Sequence, residues 1–267
     1  ENLAFPLKNN KVPASRIKVR VQEIAEVLEI EDKLHKKARN LTADEKQKVS
    51  MGRGLVREDV SAILFDEPLT VIDPQLKWKL RRKLKQIHEQ FDITMVYVTH
   101  DQLEASTFAD RIAVMYDGQV VQFGTPTELF EAPNHTFVGY FIGSPGMNIV
   151  EVERCSGGVC FGSTVLPLES WQVDILKRMT SGNLKIGIRP EFIEISPVSS
   201  DDTYEANVLD IEDLGTYKIV TVQLGEQELK VRQDEEFEAS IDSRIHLSFP
   251  KQWLMLYVDE FLVQEQQ

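Results

Sequence analysis

Residues 60–67 read VSAILFDE, and Pro68 follows at once. An apolar run ending in two adjacent carboxylates predicts a buried strand that delivers Asp66 and Glu67 to a sheet edge. A second apolar run, over 93–98, ends in Thr99, His100 and Asp101. Two such strands bring Asp, Glu and His to what would be one rim. In open parallel sheets, ligands bind at carboxyl ends of this kind.

Outward from these strands, the pattern alternates. Ser15 is placed to cap a helix running to about Ile30, with Ile17, Val21, Ile24, Ala25 and Leu28 on one face. Asp73 followed by Pro74 is a strong helix start, and Leu76, Leu80, Leu84 and Ile87 form that helix's apolar stripe. A short helix is expected over 102–109. Strands over 111–116 and 119–123 are joined by Asp117 and Gly118, a hairpin signal, and Thr125 with Pro126 opens a further helix. Strand alternating with helix over residues 1–130 predicts an α/β layer with parallel strands. The pattern changes at the turn-rich residues 143–146. Beyond them, strands are predicted over 148–153, 159–168, 184–195, 204–213, 216–224, 227–232 and 244–257, which reads as a small barrel or sandwich.

The stretch ILFDEPLTVID resembles the Walker B motif and D-loop of ATP-binding-cassette (ABC) ATPases, and VTHDQLEA resembles their switch-histidine segment. IGIRPEFIEI, at 186–195, resembles the C-terminal oligosaccharide-binding-like domain of sugar-type ABC import ATPases. The junction FIGSPGMN, at 141–148, resembles the carbohydrate-uptake branch, whose solutes include maltose, glycerol 3-phosphate and glycerol. The resemblance implies an α/β nucleotide-binding (RecA-like ABC) domain over 1–143, N-terminally incomplete. Its helical subdomain would span about 10–57 and its Walker B, D-loop and H-loop core 58–130. An all-β OB-like (TOBE-type) regulatory domain would follow over 144–267. No G-x-x-x-x-G-K-[ST] loop occurs in the sequence, and residues 1–10 resemble the segment just after the family's glutamine loop. The chain therefore reads as that fold without its Walker A and glutamine-loop portion, either as a true fragment or as a piece of a longer protein.

The resemblance assigns roles. Asp66 would support Mg²⁺, usually through water, and Glu67 would polarise the water that attacks ATP. His100 would contact the γ-phosphate and hold Glu67 in place. The residue types suit these roles, since carboxylate oxygens ligate hard Mg²⁺, a second carboxylate can act as general base, and an imidazole can donate to phosphate. Asp73 would be the D-loop aspartate, reaching across a dimer interface, and would also serve as a helix cap. The departure lies at 41–45. The family's L-S-G-G-Q reads LTADE here, so Thr42, Ala43, Asp44 and Glu45 stand where the signature contacts the nucleotide of the opposite subunit. Thr42 keeps a hydroxyl. Ala43 and Asp44 add Cβ atoms in place of two glycines, and Asp44 and Glu45 put negative charge where a phosphate would sit. A homodimer would then have two impaired sites. A heterodimer with a partner bearing a regular signature would have one good site, and is the favoured arrangement.

The implied function is the ATP-hydrolysing subunit of an importer for a sugar, sugar alcohol or glycerol-type solute, with polyamine or anion uptake as a rival. The implied partners are a second ABC ATPase subunit, two transmembrane permease subunits and, indirectly, a periplasmic or extracellular solute-binding protein. The implied location is the cytoplasmic face of the plasma membrane. A non-hydrolysing dimerisation or regulatory partner is the alternative class. A free-standing ligand sensor built on the barrel would leave residues 1–140 unexplained.

Composition narrows the field further. With 30 basic and 43 acidic residues among 267, the net charge is −13, which argues against nonspecific nucleic-acid binding and direct docking on anionic lipid. A hydrophobic content of 42% is enough for a real core. Cys155 and Cys160 flank a Ser-Gly-Gly-Val turn that would set them across a hairpin, where a disulfide is conceivable; two reduced thiols are the favoured reading. The acidic run at 234–238 reads as a solvated loop.

Overall fold

In a computed structural model, the structure describes all residues except 71, 92, 157, 180, 197, 198, 201, 266 and 267, together with the side chains of all but 74–76, 90 and 91 of the rest. The chain forms two compact units, Glu1–Asp110 and Arg111–Gln267.

The first unit is α/β. Helices α1 (Phe5–Asn9), α2 (Ala14–Val27) and α3 (Ala43–Leu55) precede strand β1 (Ala62–Asp66). Helix α4 (Pro74–Phe91), strand β2 (Thr94–Val98) and helix α5 (Gln102–Phe108) follow. Helix α2 starts behind Pro13, not Ser15, and has no side-chain cap. Strands β1 and β2 pair in parallel, with Asp66 opposite Val98. Ile63 and Phe65 are buried in one core with Ile24, Leu28, Leu55, Leu80, Leu84 and Ile87. Of the expected α4 stripe, the Leu76 side chain lies outside the described residues. Strand β1 is buried on one face only, where burial on both was expected. Leu64 is 78% exposed and Val98 53%, because no third strand pairs with this sheet among the described residues. Gly52 has a packing role on α3: a Cβ there would meet the Leu3 side chain at 2.5 Å and Leu28 at 3.0 Å.

The second unit opens with the hairpin β3 (Ile112–Tyr116) and β4 (Gln119–Gly124), then helices α6 (Pro126–Glu131) and α7 (Thr136–Phe141). Strands β5 (Asn148–Cys155), β6 (Gly158–Phe161) and β7 (Thr164–Pro167) follow, then helix α8 (Ser170–Arg178). The remaining strands are β8 (Leu184–Ile188), β9 (Glu194–Ser196), β10 (Tyr204–Asp213), β11 (Tyr217–Leu224), β12 (Gln227–Asp234), β13 (Arg244–Ser248), β14 (Met255–Val258) and β15 (Phe261–Leu262). Two sheets result, ordered β12-β11-β10-β13-β9 and β15-β14-β8-β5-β6-β7. Their apolar faces share one core that includes Val150, Ile186, Val208, Val222, Leu247 and Leu256. Asn148 bridges the sheets like a strand rung: its amide oxygen accepts from the Lys230 N–H and its amide nitrogen donates to the Lys230 carbonyl, both at 2.8 Å.

Three expected strands are broken. The run 159–168 is a hairpin, turned at Gly162 with φ +54°. Pro190 ends 184–195 after β8 and opens a 3₁₀ turn, and Pro250 does the same to 244–257. Helix α8 was not expected at all. Cys155 lies opposite Gly158 and Cys160 opposite Glu153, so the two free thiols are diagonal neighbours on one face of the β5–β6 hairpin. Gly157 of the expected turn lies outside the described residues. Burial pushes the Cys155 thiol up to about 11.

The compact division falls upstream of the boundary expected at 143 because Arg189 fastens 111–143 to the barrel. Arg189 is fully buried. It donates to the carbonyls of Phe130, Ile142 and Leu129 at 2.6, 2.5 and 3.4 Å, and its guanidinium stacks 3.8 Å from the Phe130 ring centroid. Gly143, at φ +121°, leaves the space: a Cβ there would lie 2.7 Å from an Arg189 nitrogen. Tyr257 adds a bond from its hydroxyl to the Pro133 carbonyl at 2.9 Å.

Candidate functional site

At the carboxyl end of β1, Asp66 shares the exposed face with Leu64, and Glu67 turns out of the strand. Glu67 takes a left-handed backbone, φ +45°, uncommon for a residue with a side chain. Its N–H still donates to the Val98 carbonyl at 2.9 Å, and the Thr70 N–H reaches the Glu67 carbonyl at 3.4 Å, so the turn is fixed from both sides. The Glu67 carboxylate accepts from the His100 ring Nδ1 at 2.9 Å through Oε1 and from the Thr70 hydroxyl at 3.1 Å through Oε2. These bonds, His100's first and Thr70's second, hold its carboxyl below the usual glutamate range. With Nδ1 donating, Nε2 of the exposed His100 ring is left for a second partner.

His100 sits in a loop whose conformation is set by its neighbours. Asp101 caps α5, accepting from the N–H groups of Leu103 and Glu104 at 2.9 and 3.1 Å. Thr99 accepts from the Asp101 N–H at 3.0 Å and donates to Glu104 at 3.0 Å. Glu104 is 3% exposed, also accepts from the Tyr97 hydroxyl at 2.9 Å, and lies 3.4 Å from Lys77 on α4. Burial, then the Glu104 carboxylate, push the Tyr97 phenol well above its ordinary range. Sequence reasoning missed Glu104, Thr99, Thr70 and Lys77. The available signal was Glu104 one turn after the Asp101 cap, on the same side as the strand it follows.

Asp73 is exposed and immediately precedes α4, and its carbonyl accepts the Lys77 N–H at 2.9 Å. At the start of α3, Thr42 is the N-cap of a closed capping box. Its hydroxyl accepts from the Glu45 N–H at 3.4 Å, and the Glu45 carboxylate accepts from the Thr42 N–H at 2.9 Å. The Thr42 hydroxyl donates to Asp44, and Glu45 lies 3.3 Å from Lys33. The Asp44 and Glu45 carboxyls are both held low, by the Thr42 hydroxyl and the Thr42 N–H respectively. The negative charge expected to face a phosphate is thus folded back on the helix start. Ala43 opens the helix and is exposed. The structure therefore joins Glu67 to His100 and sets Asp66 beside them. No described hydrogen bond or ion pair joins 42–45 to these three.

The donor set fits Mg²⁺ only in part of its shell. No three His, Cys, Asp or Glu side chains converge among the described residues. Mg²⁺ commonly takes one or two carboxylates and completes its shell with phosphate oxygens and water, which a single exposed Asp66 satisfies.

The family model for the MalK OB fold domain matches residues 143–193, and that for the TOBE domain matches 186–256. The oligosaccharides import ATP-binding protein MsmX of Bacillus subtilis (strain 168) is 36% identical over 255 residues, covering 93% of this chain and 70% of the relative. The trehalose/maltose import ATP-binding protein MalK of Thermococcus litoralis is 37% identical over 265 residues, covering 92% and 71%. The sn-glycerol-3-phosphate import ATP-binding protein UgpC of Psychromonas ingrahamii is 39% identical over 215 residues, covering 80% of this chain and only 55% of that relative. With these relatives aligned along most of its length, the chain belongs to the ATP-binding subunits of ABC importers, in their sugar and glycerol-phosphate branch.

Proposed function

We propose that the chain is the ATP-hydrolysing part of an importer subunit that drives uptake of a small polar solute of the sugar, polyol or glycerol type. The observation that carries this reading is the 2.9 Å bond between His100 Nδ1 and Glu67 Oε1 at the rim of two parallel strands. Glu67, ionised at neutral pH and held at a fixed angle, accepts a hydrogen bond from the attacking water. Its depressed basicity suits orienting and polarising that water better than removing its proton outright. His100 fixes the carboxylate through Nδ1 and offers Nε2 to a terminal phosphate oxygen. Asp66 would hold Mg²⁺, which when bound neutralises charge on the phosphate oxygens. Cradling the phosphates is assigned to a glycine-rich loop that residues 1–267 do not contain.

The closed capping box at Thr42–Glu45 supports the heterodimer. It already engages the Thr42 hydroxyl and the N–H groups of Thr42 and Glu45, at a helix start that would otherwise face a phosphate. In that arrangement Asp66, Glu67 and His100 serve a nucleotide covered by a regular signature from a second ATPase subunit, and Asp73 reaches toward the same interface. No helix among the described residues is long and apolar enough to cross a membrane. The subunit would lie peripherally on the cytoplasmic face, docked on two permease subunits and served indirectly by a solute-binding protein. The same capping box favours, as second reading, a partner that dimerises without hydrolysing.

ATPase assays on the assembled importer separate these readings. Glu67→Gln abolishes turnover if this chain hydrolyses, and an unchanged rate overturns that role. Full activity of the subunit without a second, different ATPase overturns the heterodimer.

A further inference from the structure

Glu104 is a buried carboxylate that ties together both ends of the site. Through Oε2 it binds the hydroxyls of Tyr97 and Thr99, which lie on the approach to His100. The Thr99 hydroxyl in turn holds the Asp101 N–H, so residues on both sides of His100 are fastened to one carboxylate. Through Oε1 it pairs with Lys77, whose own N–H is bonded to the Asp73 carbonyl. Burying a carboxylate is unfavourable unless it is paired and hydrogen-bonded, and an apolar side chain would fill the same space more simply. The charge here has three partners, and all three lead to His100 or to the turn that starts α4.

We propose that Glu104 is a positioning residue that aims His100 at Glu67 by fastening the backbone on either side of it to α4. The inference rests on the reading of Glu67 and His100 as the hydrolytic pair, and adds the group that orients them. Tyr97, Lys77 and Asp101 are the ionisable neighbours of Glu104, with Arg81 close to Tyr97. None of them touches Glu67 in the described contacts, so a change at Glu104 reaches Glu67 through the Thr99–His100–Asp101 loop.

The test reads the His100 ring by ¹⁵N NMR of the chain at alkaline pH, without nucleotide. Bonded to Glu67 Oε1, the ring keeps its proton on Nδ1, and a ring released from Glu67 shifts that proton toward Nε2. Glu104→Gln is expected to produce this change. Thr99→Val keeps the Glu104–Lys77 pair and removes the Thr99 hydroxyl's bonds to Glu104 and from the Asp101 N–H; it is expected to change the ring the same way and serves if Glu104→Gln does not fold. Leu84→Ala, a core truncation in the same unit, should lower the melting temperature and leave the tautomer in place, separating positioning from general weakening. An unchanged His100 tautomer in folded Glu104→Gln or Thr99→Val overturns the proposal. In the assembled importer, Glu104→Gln should lower kcat on the order of tenfold with little change in KM for ATP. A changed tautomer with an unaltered rate would uphold the positioning and overturn the hydrolytic reading of the pair.

Discussion

Glu67 Oε1 and His100 Nδ1 stand 2.9 Å apart although 33 residues separate them, because β1 and β2 are parallel and in a register that sets Asp66 opposite Val98. The pair is a consequence of strand register, so it should resist small changes elsewhere and yield to changes in either side chain. His100→Ala should raise the Glu67 titration toward the ordinary glutamate range, with the Thr70 bond still lowering it, and lower hydrolysis by the assembled importer on the order of a hundredfold. Thr70→Val removes the second hydrogen bond and should raise the Glu67 midpoint by less. A His100→Ala protein with an unmoved Glu67 titration would show that the pair does not form in solution.

The capping box makes a separate prediction about stability. Thr42→Ala removes the acceptor of the Glu45 N–H and the donor to Asp44, and should destabilise the first unit by about 1 kcal/mol in chemical denaturation. Lys33→Met should do less, since the Lys33–Glu45 pair is partly exposed. Replacing Ala43 and Asp44 together with glycine removes one carboxylate and two Cβ atoms. That variant should bind a partner's nucleotide more tightly if the region contacts it, which ATP-dependent dimerisation would measure.

Much of this was legible from the sequence because it rests on local chemistry. The apolar runs ending at Asp66 and Thr99 gave parallel strands and a polar rim, and Asp73 with Pro74 gave the helix start. The turn signals at 143–146 marked where strands take over. What stayed hidden depends on where the chain packs. Glu104 and Arg189 are charged residues that burial makes important: the place of Glu104 one turn after the Asp101 cap is the local hint of its network, and nothing in the sequence around Arg189 announces a three-carbonyl clasp. Pro190 and Pro250 were visible breakers inside apolar runs, and weighting them as such would have divided 184–195 and 244–257 correctly. Helix α8 was hidden by the β-rich pattern around it.

Arg189 gives the largest expected effect on stability. Replacing it with methionine leaves the carbonyls of Phe130, Ile142 and Leu129 without their donor in a dry interior, and should destabilise the second unit by about 3 kcal/mol or more. Burial draws its guanidinium down to about 10, so it remains charged at neutral pH. Arg189→Lys keeps a charge but loses the planar fork and its stacking on Phe130, and should recover only part of the loss. Thermal denaturation of both variants decides the matter; a methionine variant that melts like the parent would mean the clasp is not formed.

The second unit should also lose stability in two steps as pH falls. His135 is buried, its Nδ1 accepts the Phe137 N–H at 3.0 Å, and burial holds its titration below the ordinary 6.5. The unfolded chain therefore takes up a proton near 6.5 that the folded chain refuses. The stability from neutral His135 is complete above that pH and drains away below it. Glu260 is bonded to Lys185 and to the Thr136 hydroxyl, and these partners hold its carboxyl below 4.5. Its contribution is complete above 4.5 and is lost as pH drops through the lower folded value. The two groups attract when His135 is protonated, so Glu260→Gln should also extend the first step to lower pH. Urea denaturation between pH 7 and pH 3, followed by a probe confined to this unit, should show both steps in the parent. His135→Gln should erase the first and Glu260→Gln the second, while a stability flat across the range would mean neither group is held as described.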